Sequence, residues 1–148
     1  SMQGTPIEHS EHFYIDLIEG LRDARLLNPA EAFDIEVVLA LPTSQGFGMS
    51  AAGLVAVARA LHAHSKIGRE DQYLRVAHRI ERIHSGGLGD VLGIAAQGIE
   101  LRLEPGAPGA GGKAIGFPSS QPIVLVWKPS VVSTLITICL TQLSLKLV

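Results

Sequence analysis

A glycine-rich stretch lies between an alternating apolar run and a longer run of small and apolar residues, and its residue types could bind a ligand. It reads Pro42-Thr43-Ser44-Gln45-Gly46-Phe47-Gly48-Met49-Ser50-Ala51-Ala52. Glycine lacks a Cβ and tolerates positive φ, so the backbone can approach a ligand closely. The free amides of the next helical turn, with their partial positive charge, favour phosphate. The pattern predicts a strand, a phosphate-binding loop and a helix; the alternative is a plain turn with Ser50 as helix N-cap.

Two carboxylates downstream could complete a phosphoryl-transfer site. That chemistry needs a cradle for phosphates, an oxygen ligand for Mg²⁺, and a carboxylate that positions or deprotonates the attacking hydroxyl. The loop with Ser50, Glu81 near the end of a helix, and Asp90 in a second glycine-rich turn provide one candidate for each role. Each residue also has a structural alternative. Asp90 could cap the segment that follows it, Glu81 could pair with an arginine on a solvated face, and Ser50 could cap a helix without binding metal.

The elements that must position these residues follow from apolar periodicity and from glycine and proline positions. Helices are predicted over 5–27, 51–65 and 70–84, with Tyr73, Leu74, Ala77, Ile80 and Ile83 on the inward face of the third. Strands are predicted over 34–41, 99–104, 114–117 and 122–128. The stretch 105–112 is rich in Gly, Pro and Ala and is predicted to be a mobile loop or hairpin tip.

Length and composition narrow the class of protein. The 148 residues suit one domain with a substantial core. A net charge of −2 gives no broad basic surface, which argues against a nucleic-acid partner. The single cysteine, Cys139, excludes an intramolecular disulfide and fits a reducing, cytoplasmic location. The apolar end, 131–148, is short and contains Ser, Thr and Gln, so no membrane association is expected.

The loop resembles the phosphate-binding motif Pro-x-x-x-Gly-Leu-Gly-Ser-Ser-Ala-Ala of the GHMP kinases, the superfamily of galactokinase, homoserine kinase and mevalonate kinase. Phe47 and Met49 depart from this motif. Within the superfamily, the loop, the Gly87-Leu88-Gly89-Asp90-Val91 turn and the Pro105-Gly106-x-Pro108 segment are similar to the archaeal pantoate kinases. That family phosphorylates pantoate with ATP on the route to coenzyme A.

The resemblance implies a fold and a role for each site residue. The expected fold is α+β, a mixed sheet with helices on one face, like the GHMP kinase N-terminal domain of ribosomal protein S5 domain 2-like architecture, with a left-handed βαβ crossover. The implied cofactors are ATP and Mg²⁺. Phosphate binding falls to Pro42, Gly46, Phe47, Gly48, Met49, Ser50, Ala51 and Ala52, metal binding to Ser50 and Glu81, and catalysis to Asp90. The expected partner is a small hydroxy acid.

The same comparison indicates that family motifs are missing. Neither the N-terminal Pro-Gly motif nor the C-terminal glycine motif of GHMP kinases is present, so residues 1–148 are expected to be one incomplete domain, with 5–126 resembling the family and 127–148 an apolar tail. An inactive fragment that serves as a binding or assembly module, for example a homodimer through the tail, is the alternative, as is another GHMP kinase of mevalonate or homoserine type. A Rossmann site is disfavoured because 69–84, where its second strand should lie, is helical in pattern.

Overall fold

Four helices and five strands make up the described part of the chain. The computed structural model describes residues 11–38, 40–41, 46–84, 89–126 and 145–147. In order, the elements are α1 (Glu11–Asp23), β1 (Ile35–Val37), α2 (Met49–Ser65), α3 (Glu70–His84), α4 (Asp90–Ala96), β2 (Ile99–Glu104), β3 (Ala107–Pro108), β4 (Gly111–Phe117) and β5 (Leu145–Leu147). None of these helices is long and apolar enough to span a bilayer.

The core is built around α2, which contacts α1, α3, α4 and β1. Leu54, Val57 and Leu61 of α2 are fully buried. Small residues let the helices approach closely, because a Cβ at Gly53 would collide with the Tyr14 hydroxyl of α1. The Tyr73 hydroxyl of α3 donates a hydrogen bond to the Leu26 carbonyl at 2.5 Å, which ties the chain after α1 to the same core. The packing therefore holds the N-terminus of α2 and the C-terminal half of α3 on one side of the molecule.

The described strands form two small sheets. β1 pairs antiparallel with β5, and β4 lies between β2 and β3, antiparallel to the first and parallel to the second. The α+β class with a mixed sheet is confirmed, and α4 packs against β2 and β4. The predicted single sheet is divided in two within the described residues. The only parallel pair there, β3 and β4, is joined without a helix, so the left-handed crossover stays a prediction.

The first helix is shorter than predicted. Residues 1–10 lie outside the description, and α1 ends at Asp23 instead of 27. Arg25 takes the left-handed conformation with φ 58°, and its N–H and that of Leu26 donate to the Arg22 and Leu21 carbonyls, each at 2.9 Å. This is a Schellman termination with arginine where glycine is usual. Leu26 stays buried at the end of the turn, which explains why apolar periodicity continued past the helix.

Two strand predictions need correction. The 34–41 strand is reduced to β1 in the described residues, where it pairs with the three residues of β5; Leu39 lies outside the description. Residues 121–126 have no regular secondary structure, so the 122–128 strand is wrong as far as it is described; 127–128 lie outside the description. This apolar run has no strand to pair with in the described chain, and Val124 and Val126 are exposed. The 105–112 stretch is a hairpin tip containing β3, as predicted; its mobility is untested.

Replacing Arg25 by glycine should stabilise the protein. The left-handed conformation costs an ordinary residue roughly 1–2 kcal/mol, and glycine removes that cost while adding some entropy to the unfolded chain. We expect the free energy of unfolding to rise by about 0.5–1 kcal/mol in urea titration followed by circular dichroism. Arg25→Ala, which keeps the strained φ, is the control and should show no gain. An Arg25→Gly protein no more stable than Arg25→Ala would contradict the assigned turn.

Candidate functional site

The glycine loop enters α2 through two left-handed glycines. Gly46 has φ 78° and Gly48 has φ 64°, conformations that other residues adopt at a cost. Gly48 is the N-cap of α2, so the helix begins at Met49 and Ser50 lies inside its first turn. The alternative in which Ser50 is the N-cap is therefore wrong. No side-chain hydrogen bond caps this end, and the first-turn amides are available to an anion.

Asp90 lies against this loop. A Cβ placed on Gly48 would be 3.3 Å from Asp90 Oδ2, so only glycine leaves the carboxylate ordinary room there. Asp90 is the first residue of α4, whose N-cap is Gly89, and the interpretation of Asp90 as a capping residue is wrong. The structure thus brings together the glycine loop and the Asp90 carboxylate, which the sequence separates by about forty positions. Pro42, also assigned to the loop, lies outside the described residues.

Glu81 is buried beside Asp90, with 1% of its surface exposed. Burial and the neighbouring Asp90 charge raise its pKa to about 7, although the Val91 backbone N–H donates a hydrogen bond that opposes the rise. A solvated ion pair with an arginine is therefore wrong for Glu81. The inward face of α3 is also corrected: Ile83 is 67% exposed, and Glu81 takes a buried position two helical turns after Leu74.

Arg102 and Glu100 reach the site from β2. The Arg102 guanidinium donates through Nε to Glu100 and through Nη2 to the Gly89 carbonyl at 2.8 Å. A Cβ on Gly89 would be 2.7 Å from Arg102 Nη1, and one on Gly93 would be 2.7 Å from Glu100 Oε2. These glycines, four apart on one side of α4, let the charged side chains lie directly on its backbone. The Asp90 charge also acts on Arg102 and helps to raise its pKa.

His78 lies beneath the site on α3 and is 7% exposed. Burial lowers its pKa, and the nearby Arg82 and Arg102 charges lower it further, so the ring is neutral at pH 7. Its Nδ1 has no hydrogen-bond partner among the described residues. Neither His78 nor Arg102 was anticipated from the sequence. Two sequence signals could have indicated them. His78 lies one helical turn before Glu81, and Arg102 lies on the charged face of a strand whose other face is apolar.

An open cavity of about 810 Å³ joins these elements. It is lined by the loop, the start of α4 and the inner face of β2: Gly46, Phe47, Gly48, Gly89, Asp90, Gly93, Ile94, Gln97, Gly98, Glu100 and Arg102. Arg102 is the only cation among the described lining residues. The described residues contain no group of three His, Cys, Asp or Glu side chains able to hold a metal by themselves.

The part of the chain that contains the glycine loop, Glu81 and Asp90 matches a known protein family. The chain matches the GHMP kinases N terminal domain over residues 13–98, more than half of its length. It belongs to the GHMP kinase family. The matched span contains the glycine loop, Glu81 and Asp90, so the resemblance drawn from the loop motif is confirmed at the level of the family.

Individual relatives are also kinases or phosphotransferases, and each is similar to this chain over part of its length. The chain is 46% identical over 70 residues to the pantoate kinase of Thermococcus kodakarensis and 40% identical over 76 residues to that of Methanospirillum hungatei. It also resembles the solved structure of a phosphotransferase related to the CoA biosynthesis pathway, with TM-score 0.62, 32% identity and coverage of 81% of this chain and 39% of that one. The matches to the two pantoate kinases cover 47% and 51% of this chain. They cover 23% and 26% of those relatives, so this chain spans about a quarter of their length.

The raised pKa of Glu81 predicts how stability of this GHMP kinase domain depends on pH. An acid whose pKa is higher in the folded state binds more protons in that state than in the unfolded state. The free energy of unfolding therefore falls as pH rises from about 4.5 to about 7. Glu81→Gln keeps an acceptor for the Val91 N–H but carries no charge. At about pH 8 we expect this variant to be more stable than wild type by roughly 1–3 kcal/mol, and at about pH 4 the advantage should vanish.

The measurement is urea unfolding across this pH range without nucleotide. Glu70→Gln, which alters a partly exposed side chain paired with Arg59, is the control and should run parallel to wild type. A Glu81→Gln curve that is also parallel to wild type would contradict a buried, charge-strained Glu81.

Proposed function

We propose that this chain carries the phosphate-binding and catalytic centre of an ATP-dependent kinase that phosphorylates a small hydroxy acid, with pantoate as the best candidate. The observation that carries the proposal is the close approach of Gly48 and Asp90, which both line one cavity. The pantoate kinase names of the two relatives, and the CoA-pathway title of the solved structure, support that substrate.

The phosphate donor would be held by the loop. Gly46, Phe47 and Gly48 line the cavity, and the first-turn amides of α2 from Met49 to Ala51 add the positive end of a long helix, whereas the Ala52 N–H donates to the Gly48 carbonyl within the helix. Such a loop would bind the β- and γ-phosphates of ATP through backbone N–H groups. Positioning and charge stabilisation would supply most of the rate enhancement, because phosphoryl transfer requires little covalent chemistry from the protein.

The acceptor would bind between Asp90 and Arg102. Asp90 would accept the hydroxyl proton as the substrate oxygen bonds to the γ-phosphorus and the bond to ADP breaks. Arg102, held by Glu100 and the Gly89 carbonyl, would pair with the substrate carboxylate. A hydroxy acid satisfies both groups at once, and the product of pantoate would be 4-phosphopantoate.

The residues present also suit Mg²⁺. Burial and the Asp90 charge raise the energy of the ionised form of Glu81, and a cation beside Glu81 would relieve this. Mg²⁺ commonly takes one or two carboxylates and completes its ligands with phosphates and water. Glu81, with the Ser50 hydroxyl in the first turn of α2, would hold the ion. When bound, it would neutralise charge on the transferring phosphoryl group.

One observation favours a second candidate function. Because the chain spans about a quarter of its curated relatives, residues 1–148 could form one incomplete domain that binds but does not turn over substrate. An ADP-release assay with pantoate, mevalonate and homoserine separates these functions, and also separates pantoate from the other GHMP substrates. Turnover of pantoate supports the proposal. No turnover, together with no ATP binding by calorimetry, would contradict it, whereas ATP binding without turnover would support the binding module.

Asp90→Asn should remove the proton acceptor while leaving the loop intact. We expect kcat to fall by about 100-fold or more with ATP affinity little changed. The measurement is steady-state ADP release together with calorimetric ATP binding. Asp23→Asn, at the exposed end of α1, is the matched control and should retain wild-type kcat. Full activity in the Asp90 variant would remove this residue from the mechanism.

Arg102→Gln should separate acceptor binding from nucleotide binding. Loss of a charge-assisted hydrogen bond costs roughly 1.5–3 kcal/mol, so KM for pantoate should rise by about 10- to 100-fold while KM for ATP stays within about twofold. Arg59→Gln, which breaks the Arg59 pair with Glu70 outside the cavity lining, is the control. Equal increases in both KM values would place Arg102 at the nucleotide instead of the hydroxy acid.

A further inference from the structure

β2 is an edge strand. Within the three-stranded sheet it pairs with β4 on one side, and no strand of the described chain pairs with its other side. An exposed edge presents a row of unpaired N–H and C=O groups that can add a further strand. β2 contains no proline, lysine or glycine to discourage this. Its edge is therefore suited to pairing with another polypeptide.

The two faces of β2 differ sharply. Glu100 and Arg102 line the cavity, whereas Ile99 and Leu101 alternate with them and are 58% and 51% exposed. Ile99 lies opposite Phe117, and Leu101 opposite Ile115, on β4. These four apolar side chains form an outward patch, while the charged face lies toward α4. Any strand that adds to the β2 edge must match a charged row on one face and an apolar row on the other.

We propose that two copies of this chain associate through antiparallel pairing of their β2 strands, centred on Leu101. In this register Leu101 faces Leu101 of the second copy, Glu100 faces its Arg102, and Ile99 faces its Leu103. The segment Ile99-Glu100-Leu101-Arg102-Leu103 is self-complementary about its centre, with apolar pairs and opposite charges directly across the strands. The second copy thereby covers the unpaired edge and brings its own Arg102 next to Glu100 at the cavity wall.

Other registers are disfavoured by the same physical rules. Directly opposed residues share a face, so a slip by one residue would set Leu101 against Arg102. Pairing centred on Glu100 would oppose two glutamates, and pairing centred on Arg102 would oppose two arginines. The register centred on Leu101 is the one among these that avoids both like-charge pairs and pairs of an apolar with a charged residue. Its outermost pair includes Leu103, which lies at the irregularity between Arg102 and Glu104, so the regular part of the pairing spans Glu100 to Arg102.

Charge reversal tests the register without relying on activity. Glu100→Arg alone would oppose two arginines, and Arg102→Glu alone would oppose two glutamates. We expect wild type to sediment as a dimer and each single variant to raise the dimer dissociation constant by about tenfold or more. The double variant Glu100→Arg with Arg102→Glu restores opposite charges and should dimerise like wild type. Circular dichroism melting checks that each variant remains folded.

Cysteine crosslinking gives an independent test in a Cys139→Ser background. Leu101→Cys should form a covalent dimer on mild oxidation, because the two sulfurs would lie directly across the strand pair. Ile115→Cys, on the same outward face but one strand further in, is the control and should remain monomeric. A monomeric wild-type chain, dimers unaffected by either single charge reversal, or crosslinking of the Ile115→Cys variant instead of the Leu101→Cys variant would each overturn the proposal. These readouts do not depend on kinase activity.

Discussion

The close approach of the Gly48 backbone to the Asp90 carboxylate is the constraint on which the site depends. It requires α2 to begin at the same place where α4 begins, and it requires a residue without a Cβ at position 48. The buried Leu54, Val57 and Leu61 hold the body of α2 against the neighbouring helices, so the position of its N-terminus is set by packing many residues away. The glycines allow the loop backbone its positive φ angles, and the packing of the core determines where the loop lies.

A second close approach connects the helices to the sheet. Because Gly89 and Gly93 have no side chains, Arg102 and Glu100 can lie directly against the backbone at the start of α4. The inner face of the hairpin therefore carries charge, and its apolar side chains point outward, the reverse of the usual arrangement for a sheet packed on a helix. The same inversion creates the charged cavity wall and leaves apolar β2 and β4 side chains exposed, beside a β2 edge that no strand of the described chain pairs with.

The charges around the cavity are interdependent. Glu81 is buried next to Asp90, and its pKa is raised to about 7 in consequence. Burial lowers the pKa of His78, and the Arg82 and Arg102 charges lower it further. Groups held this way in a folded core cost stability and are concentrated at functional sites. A bound anion at the α2 N-terminus and a cation near the two carboxylates would each relieve part of this cost, which is the physical link between the fold and the proposed phosphoryl transfer.

The sequence by itself determined the α2 and α3 helices, the β2 strand and the glycine loop, whose motif led to the GHMP family that the domain match confirms. The end of α1 was misplaced because Arg25 adopts a glycine-like conformation that its side chain does not signal. The 122–128 strand was wrong over its described residues, 122–126, because an apolar run does not reveal whether a partner strand exists. Only the tertiary structure decided that Glu81 is buried beside Asp90 and that Arg102 is the cation of the cavity. Burial, pKa and ion pairing depend on neighbours distant in sequence, because a pattern specifies which side of an element a residue occupies but only packing specifies what that side faces.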